Sequence, residues 1–308
     1  MLIVIILLLC IVLYIIADIY RYIFRRSRSR LLTLLLDKRM HEGNYYENRD
    51  KAAEELRRCP CIRYEICSDR GEKLKGFYYP CGAGRSKKIA FIVHGYRSEH
   101  AETAGMFRDV YHSRGFDIFT PDNTACGESG GKIIGYDVFE SADALKWLDF
   151  IQAEFGENIE VVLHGFSLGG ATVMKMSDRL PQCVKFVVED SGFIDAREIL
   201  KAQTGPLYGI MAGMHRLLFR CDLNESDVRE NLKNSTVPFL FVHGEEDNMV
   251  PFSMAPRALE CYPGPKDFLF TPDIKHMETI HFNREAYEKK LDAFIEKYIT
   301  AAEEGHLV

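Results

Sequence analysis

The segment from Glu160 to Met176 constrains the fold more than any other part of the chain. An apolar strand, Glu160-Val-Val-Leu163, runs through Gly165-Phe-Ser167-Leu-Gly169 directly into a helix-forming stretch that ends at Met176. A serine at such a junction sits on a sharp, strained turn, and the flanking glycines avoid collisions with the neighbouring strand and helix. The new helix also brings its free N–H groups and positive dipole end beside the serine oxygen. A second match to the same spacing, Gly127-Glu-Ser129-Gly-Gly131, follows the loop-forming Pro121-Asp-Asn-Thr-Ala-Cys126 and precedes Lys132-Ile-Ile-Gly135, which starts no clear helix. Ser129 therefore reads as a glycine-rich turn bordering a pocket, and Ser167 as the nucleophile.

Around this junction the chain alternates strand and helix. Strands are expected at Lys88–Val93, Phe116–Thr120, Ile159–Leu163, Val184–Val188, Val237–Val242 and Asp267–Phe270. Helices are expected at Ala101–Ser113, Ser141–Phe155, Leu168–Leu180 and Arg284–Tyr298. Cys61–Cys67 and Leu74–Tyr79 look like a hairpin around Ser68-Asp-Arg-Gly71. Strands separated by helices of this length predict an α/β fold, with a mostly parallel central sheet and helices on both faces. Between Asp190 and Val237 the chain is too long for a simple crossover, and its Met211, Met214, Leu217, Leu218 and Phe219 suggest a small helical cap.

The N-terminus follows a different rule. Met1–Ala17 carries no charged side chain and spans about 25 Å as a helix, and continuing through Tyr20 and Tyr22 to Phe24 reaches the thickness of a bilayer core. Arg21, Arg25, Arg26, Arg28 and Arg30 follow, and nothing basic precedes. A cleavable signal peptide calls for a basic n-region, a shorter apolar core and an A-x-A-like site, and none of these is found. The pattern predicts a single-pass membrane anchor, with Asp18 near the headgroups and the rest of the chain in the cytoplasm by the positive-inside rule. Nine scattered cysteines agree with a reducing compartment. Four segments follow: the anchor at 1–24, a basic flank and helical connector at 25–60, an α/β domain at 61–300 with its cap at about 191–235, and a polar tail at 301–308. A net charge of −6 gives no electrostatic footprint for nucleic acid.

A serine hydroxyl needs a histidine to take its proton and a carboxylate to orient that histidine. His276 lies in the loop between the last strand and the final helix, where it can swing over Ser167, with His281 the runner-up. Asp247 lies in the turn that follows the apolar strand Phe239-Leu-Phe-Val-His243, and Pro251 is placed near the first position of a following helix. Asp190 is its rival, while Glu245 and Glu246 read as solvated. The oxyanion of an acyl-transfer intermediate needs two N–H donors. Leu168 supplies one directly after the nucleophile. Tyr96, in the loop His94-Gly-Tyr-Arg-Ser98 after a strand, supplies the other.

Together these residues resemble the α/β-hydrolase superfamily over about Ile62 to Tyr298. The matching parts are His94-Gly95, Asp122 with Gly127-Glu-Ser129-Gly130, Gly165 through Gly170, His243 through Pro251, and Lys275-His276-Met-Glu278. They are most similar to the serine aminopeptidase-like branch and its membrane-anchored bacterial hydrolases. The resemblance implies an α/β-hydrolase fold, a triad of Ser167, Asp247 and His276, and no metal or organic cofactor. One departure is the stretch Asn123-Thr-Ala-Cys126, where many relatives carry Arg or His, so the pocket is expected to differ.

Three functions compete. The first is a serine hydrolase of acyl esters or thioesters, acting through a covalent acyl-enzyme on a small or lipid-derived acyl substrate. The second is an aminopeptidase-type peptidase, which would need an acid such as Glu128 or Glu189 for the substrate ammonium. The third is a catalytically silent, membrane-tethered binding protein. There is no H-E-x-x-H and no P-loop, and Cys59-Pro-Cys61 has no partner cluster, so metal hydrolysis has little support.

Overall fold

The computed structural model describes residues 1–26 and 44–299. Residues 27–43 of the basic flank and connector, and the polar tail, lie outside the described residues. Helices α1 (Leu2–Phe24) and α2 (Tyr45–Arg57) precede the hairpin β1 (Ile62–Cys67) and β2 (Lys73–Tyr79). The chain continues with β3 (Lys88–Val93), α3 (His100–His112), β4 (Asp117–Pro121), α4 (Val138–Phe155), β5 (Glu160–Phe166), α5 (Leu168–Lys175) and β6 (Val184–Asp190). After α6 (Ala196–Thr204), α7 (Tyr208–Phe219) and α8 (Arg229–Asn234) come β7 (Phe239–Gly244), α9 (Met254–Cys261), β8 (Lys266–Thr271), α10 (Thr279–Phe282) and α11 (Arg284–Tyr298).

The strands form one sheet in the order β1-β2-β4-β3-β5-β6-β7-β8. The hairpin and the β2–β4 pair are antiparallel, and every later pair is parallel. A sheet covered on both faces needs strands that are apolar throughout. Strand β3 shows how the alternation works: Ile89, Phe91 and Val93 enter the core under α4 and α5, while Ala90 and Ile92 enter the core under α2, α3 and α11. Trp147 and Leu148 of α4 fill the first core, fully buried.

The expected elements form with small shifts. Helix α5 stops at Lys175, and a 3-10 turn, Ser177–Arg179, takes up the rest of the expected helix. Pro251 does not open a helix. It sits in the preceding turn, its carbonyl accepting from Met254 N at 2.9 Å, and α9 begins at Met254. The larger correction concerns α1. Its last turns are not free at a headgroup layer: Asp18, Tyr20, Ile23 and Phe24 are buried against the α/β domain.

Candidate active site

Strand β5 ends at Phe166 and α5 begins at Leu168, so Ser167 is the whole connection. Its backbone takes φ 55 and ψ −114, a left-sided conformation that a non-glycine residue adopts only when its surroundings enforce it. The enforcement is visible. A Cβ on Gly165 would run into the Gly169 carbonyl, and a Cβ on Gly169 would run into that of Val93. Strand, helix and the end of β3 therefore meet at backbone contact. Ser167 N donates to Asp190 O at 2.8 Å, and Ser167 O accepts from Ala171 N at 3.0 Å, locking both sides of the turn.

Two loops from the sheet's other half deliver the partners. Glu245 N donates to Thr271 O at 2.9 Å and Glu246 N to Ile274 O at 3.0 Å, which staples the turn after β7 to the loop after β8. Asp247 Oδ1 is held by the Met249 and Val250 amides, both at 2.9 Å. This leaves Oδ2 to accept from His276 Nδ1 at 2.6 Å, and His276 Nε2 lies 2.9 Å from Ser167 Oγ. With Nδ1–H turned to the carboxylate, Nε2 has its lone pair facing the serine hydroxyl. All three side chains are buried. Burial works against the charged form of Asp247, yet His276 and His243 around it hold its carboxyl below the ordinary range. The chain Ser167–His276–Asp247 can carry a proton off the serine oxygen.

The loop after β3 stands over the same serine. A Cβ on Gly95 would lie 3.2 Å from Ser167 Cβ and 3.2 Å from Phe166 O, so Tyr96 follows at the edge of the site, across from Leu168 at the start of α5. His94 fixes this loop from below. Its Nδ1 donates to Gly95 O at 2.8 Å, and its Nε2 accepts from Asn123 N at 2.9 Å. Burial lowers its pKa and keeps the ring neutral, as that pattern requires. The next residues hold the end of α1: Tyr96 Oη donates to Ile23 O at 2.6 Å, and the Arg97 guanidinium donates to the carbonyls of Tyr22 and Arg25. Arg97 thus caps the carbonyl end of α1.

The remaining candidates lie elsewhere. Ser129 is buried, its Oγ donating to Asp122 O at 2.6 Å and accepting from Lys75 N at 2.8 Å. His281 faces Asn48 and Asn44. Asp190 is held by Ser191 at 2.8 Å and Tyr287 at 3.0 Å, with Ser191 Oγ also accepting from Met277 N at 3.2 Å, so it supports the His276 loop from beneath. Burial lifts its carboxyl to about 6. Glu245 and Glu246 are exposed. Glu128 forms a surface pair with Arg63 at 2.9 Å, and the buried Glu189 accepts from Gly192 N. His243 was missed by the sequence reading. Its Nε2 lies 3.2 Å from Asp247 Oδ2 and 3.0 Å from Val250 O. Burial disfavours its charged form, but Asp247 and Glu189 outweigh this and raise its pKa. Its place four residues before Asp247 in a tight turn was the available signal. Glu99, His100 and Asp122 bring donor atoms within 4.8 Å of one another, and these already satisfy each other, His100 Nδ1 lying 2.9 Å from Asp122 Oδ1.

Comparison with known proteins agrees with this architecture. Residues 84–221 match the family described as serine aminopeptidase, S33. The chain is 23% identical over 242 residues to the uncharacterized protein YqkD of Bacillus subtilis (strain 168), covering 76% of this chain and 78% of that one. It is 24% identical over 242 residues to the uncharacterized protein YfhR of Escherichia coli (strain K12), covering 75% and 79%. Among solved structures, the Pyrococcus furiosus esterase Pf2001 superposes with a TM-score of 0.65 at 19% identity, over 80% of this chain and 95% of that one. Acetyl xylan esterase 1 from Thermoanaerobacterium sp. superposes with a TM-score of 0.57 at 18% identity, over 81% and 93%. The chain has the α/β-hydrolase fold.

Proposed function

We propose that the protein is a serine hydrolase of acyl esters or thioesters, in which Ser167 is the nucleophile, His276 the general base and acid, and Asp247 the residue that orients His276. The observation that carries this is the chain of two hydrogen bonds, 2.9 Å and 2.6 Å, ending on a serine held at φ 55 before a helix N-terminus. Ser167 Oγ bonds to the acyl carbon as its proton passes to His276 Nε2. The amides of Tyr96 and Leu168 stabilise the oxyanion. His276 then protonates the departing alkoxide or thiolate, leaving an acyl-Ser167 ester. Water attacks that ester while giving a proton to His276, and the proton returns to Ser167 Oγ as the carboxylic acid leaves.

An ester substrate is favoured over an aminopeptide by the placement of the two acids considered for an ammonium. Glu128 is engaged with Arg63 at the surface, and Glu189 is turned to the Gly192 amide inside the fold. In the same reading α1 is a single-pass anchor, with the arginines after it keeping residues 61–300 on the cytoplasmic side and residues 191–235 acting as the cap. Supporting this, α1 has 23 residues and leaves Leu2 through Ile15 exposed and apolar.

The test is covalent labelling of the full chain, in mild detergent, with a fluorophosphonate probe. The parent and Ser129→Ala are expected to label, and Ser167→Ala is not. Labelling that survives in Ser167→Ala, or a folded parent that never labels, would end this reading.

A further inference from the structure

The cap helix α7 carries an apolar face that the described residues leave uncovered. Outside α1, the large apolar side chains exposed among the described residues are Ile62, Ile210, Leu217, Leu218, Phe268 and Phe282, and three of these six belong to α7. Leu217 is 82% exposed, Leu218 59% and Ile210 50%. Ile210 and Leu217 are seven residues apart and share one helix face. Arg216 and Arg220 stand at the end of that face, both exposed. The opposite face of α7 holds the end of α1: His215 Nδ1 pairs with Tyr20 Oη at 2.8 Å, the His215 ring lies 4.5 Å from that of Phe24, and Phe219 stacks on Tyr20 at 6.3 Å.

Helix length turns this neighbourhood into a constraint. Because α1 packs against the domain from Asp18 onward, with Asp18, Tyr20, Ile23 and Phe24 buried, the stretch that stands clear of it is Leu2 to Ala17. That stretch measures about 24 Å at 1.5 Å per residue, whereas a hydrocarbon core is roughly 30 Å thick. The missing length of about 6 Å is recovered if the domain settles into the interface, the depth at which amphipathic helices with basic flanks reside. Among the described residues, the element beside α1 that is apolar on its outer side is α7.

We infer that α7 lies in the membrane interface, with Leu217, Leu218 and Ile210 in the acyl-chain boundary and Arg216 and Arg220 among the headgroups, so that the site over Ser167 opens at the bilayer surface and draws acyl esters from it. The occupant of this face is the lipid bilayer. The inference rests on α1 spanning that bilayer and, for its substrate, on Ser167 being the nucleophile. The same loop that would bind the oxyanion, through Tyr96 and Arg97, grips the last carbonyls of α1. The membrane end of the anchor and the reactive serine are thereby held in one rigid arrangement.

The experiment uses the full chain in phosphatidylcholine–phosphatidylglycerol vesicles whose lipids carry dibrominated acyl chains. Trp147 is the sole tryptophan and is buried, giving a constant background. Leu217→Trp is expected to lose a large part of its added emission to the brominated lipid and to resist iodide. Phe268→Trp, on the edge strand β8, is expected to behave oppositely. Iodide quenching of Leu217→Trp without bromine quenching, or equal bromine quenching at both positions, would overturn the placement of α7. In a second arm, Leu217→Asp with Leu218→Asp should lower turnover of a bilayer-borne long-chain ester on the order of tenfold while a soluble short ester is hydrolysed as before. Equal turnover of the bilayer ester by parent and variant would overturn the substrate route. A parent that hydrolyses neither ester would count against the hydrolase reading, and the quenching would still decide where α7 lies.

Discussion

Replacing Asp247 by asparagine tests the proposed mechanism at the point where geometry alone decides the outcome. Asp247 Oδ1 is fixed by two backbone amides at 2.9 Å, so an asparagine carbonyl would take that position and its NH2 group would take the place of Oδ2. There it would face His276 Nδ1, which now sits 2.6 Å from a carboxylate oxygen. An NH2 group donates, so Nδ1 would have to accept and the ring proton would move to Nε2, pointing at Ser167 Oγ. The base would then offer a proton where it must take one. Such a tautomer error in a buried triad costs about 10⁴ in kcat, or roughly 5 kcal/mol of transition-state stabilisation. KM should change little, because the lost interaction is made in the transition state. Steady-state hydrolysis of a chromogenic ester, with circular dichroism to confirm the fold, is the assay. A folded Asp247→Asn chain within about tenfold of the parent kcat would refute the orienting role and send attention to Asp190.

Two further outcomes are expected of the scaffold. Burial lifts the carboxyl of Glu140 to about 7, with Oε1 accepting from Gly135 N at 2.8 Å and Oε2 buried with no hydrogen-bond partner among the described residues. A carboxyl raised in the folded state favours folding below its unfolded pKa, and that contribution is lost as pH rises through about 7. The parent should therefore lose about 3 kcal/mol between the two values that Glu140→Gln keeps, and urea melts of both at pH near 5 and near 8 measure it. An identical pH drift in both chains would remove Glu140 from the account. Ser129→Ala should leave kcat unchanged but lower the melting temperature, because Lys75 N and Asp122 O lose a buried partner worth about 1–3 kcal/mol. A loss of activity without loss of stability would instead restore Ser129 as a candidate nucleophile.

Much of this architecture is legible in the sequence because its signals are local. Strand β3 and helix α11 form over the residues expected of them, since a continuous apolar run and a helical period each report on their own burial. The elbow is legible for the same reason: strand, glycine-flanked serine and helix are contiguous. The positions of Asp247 and His276 follow from strand ends, which in a parallel sheet all point to one edge. Their meeting does not follow from any local pattern. It depends on the hydrogen bonds of Glu245 and Glu246 to the loop after β8, and on Ser191 beneath Met277.

The features that escaped are those in which one segment answers two demands. The end of α1 is apolar enough to read as the close of a membrane span, and that reading hides its second role. Tyr20 and Phe24 are also core residues, and Ile23 offers its carbonyl to Tyr96. Hydropathy gives the same score to a side chain facing lipid and one facing a protein core, so it cannot separate the exposed Leu2–Ile15 from the buried turn that follows. His243 shows the same ambiguity in polar form. It stands at a strand end before a glycine, a place that assigns it no role in the sequence, yet it contacts the carboxylate oxygen that His276 also uses. A buried carboxylate with two amides and two imidazoles is held in one orientation by the whole set, so the geometry at Ser167 depends on residues as distant in sequence as β7 and β8. Helix α1 joins this system through Tyr96 and Arg97, which hold its last carbonyls from the same loop that stands over Ser167.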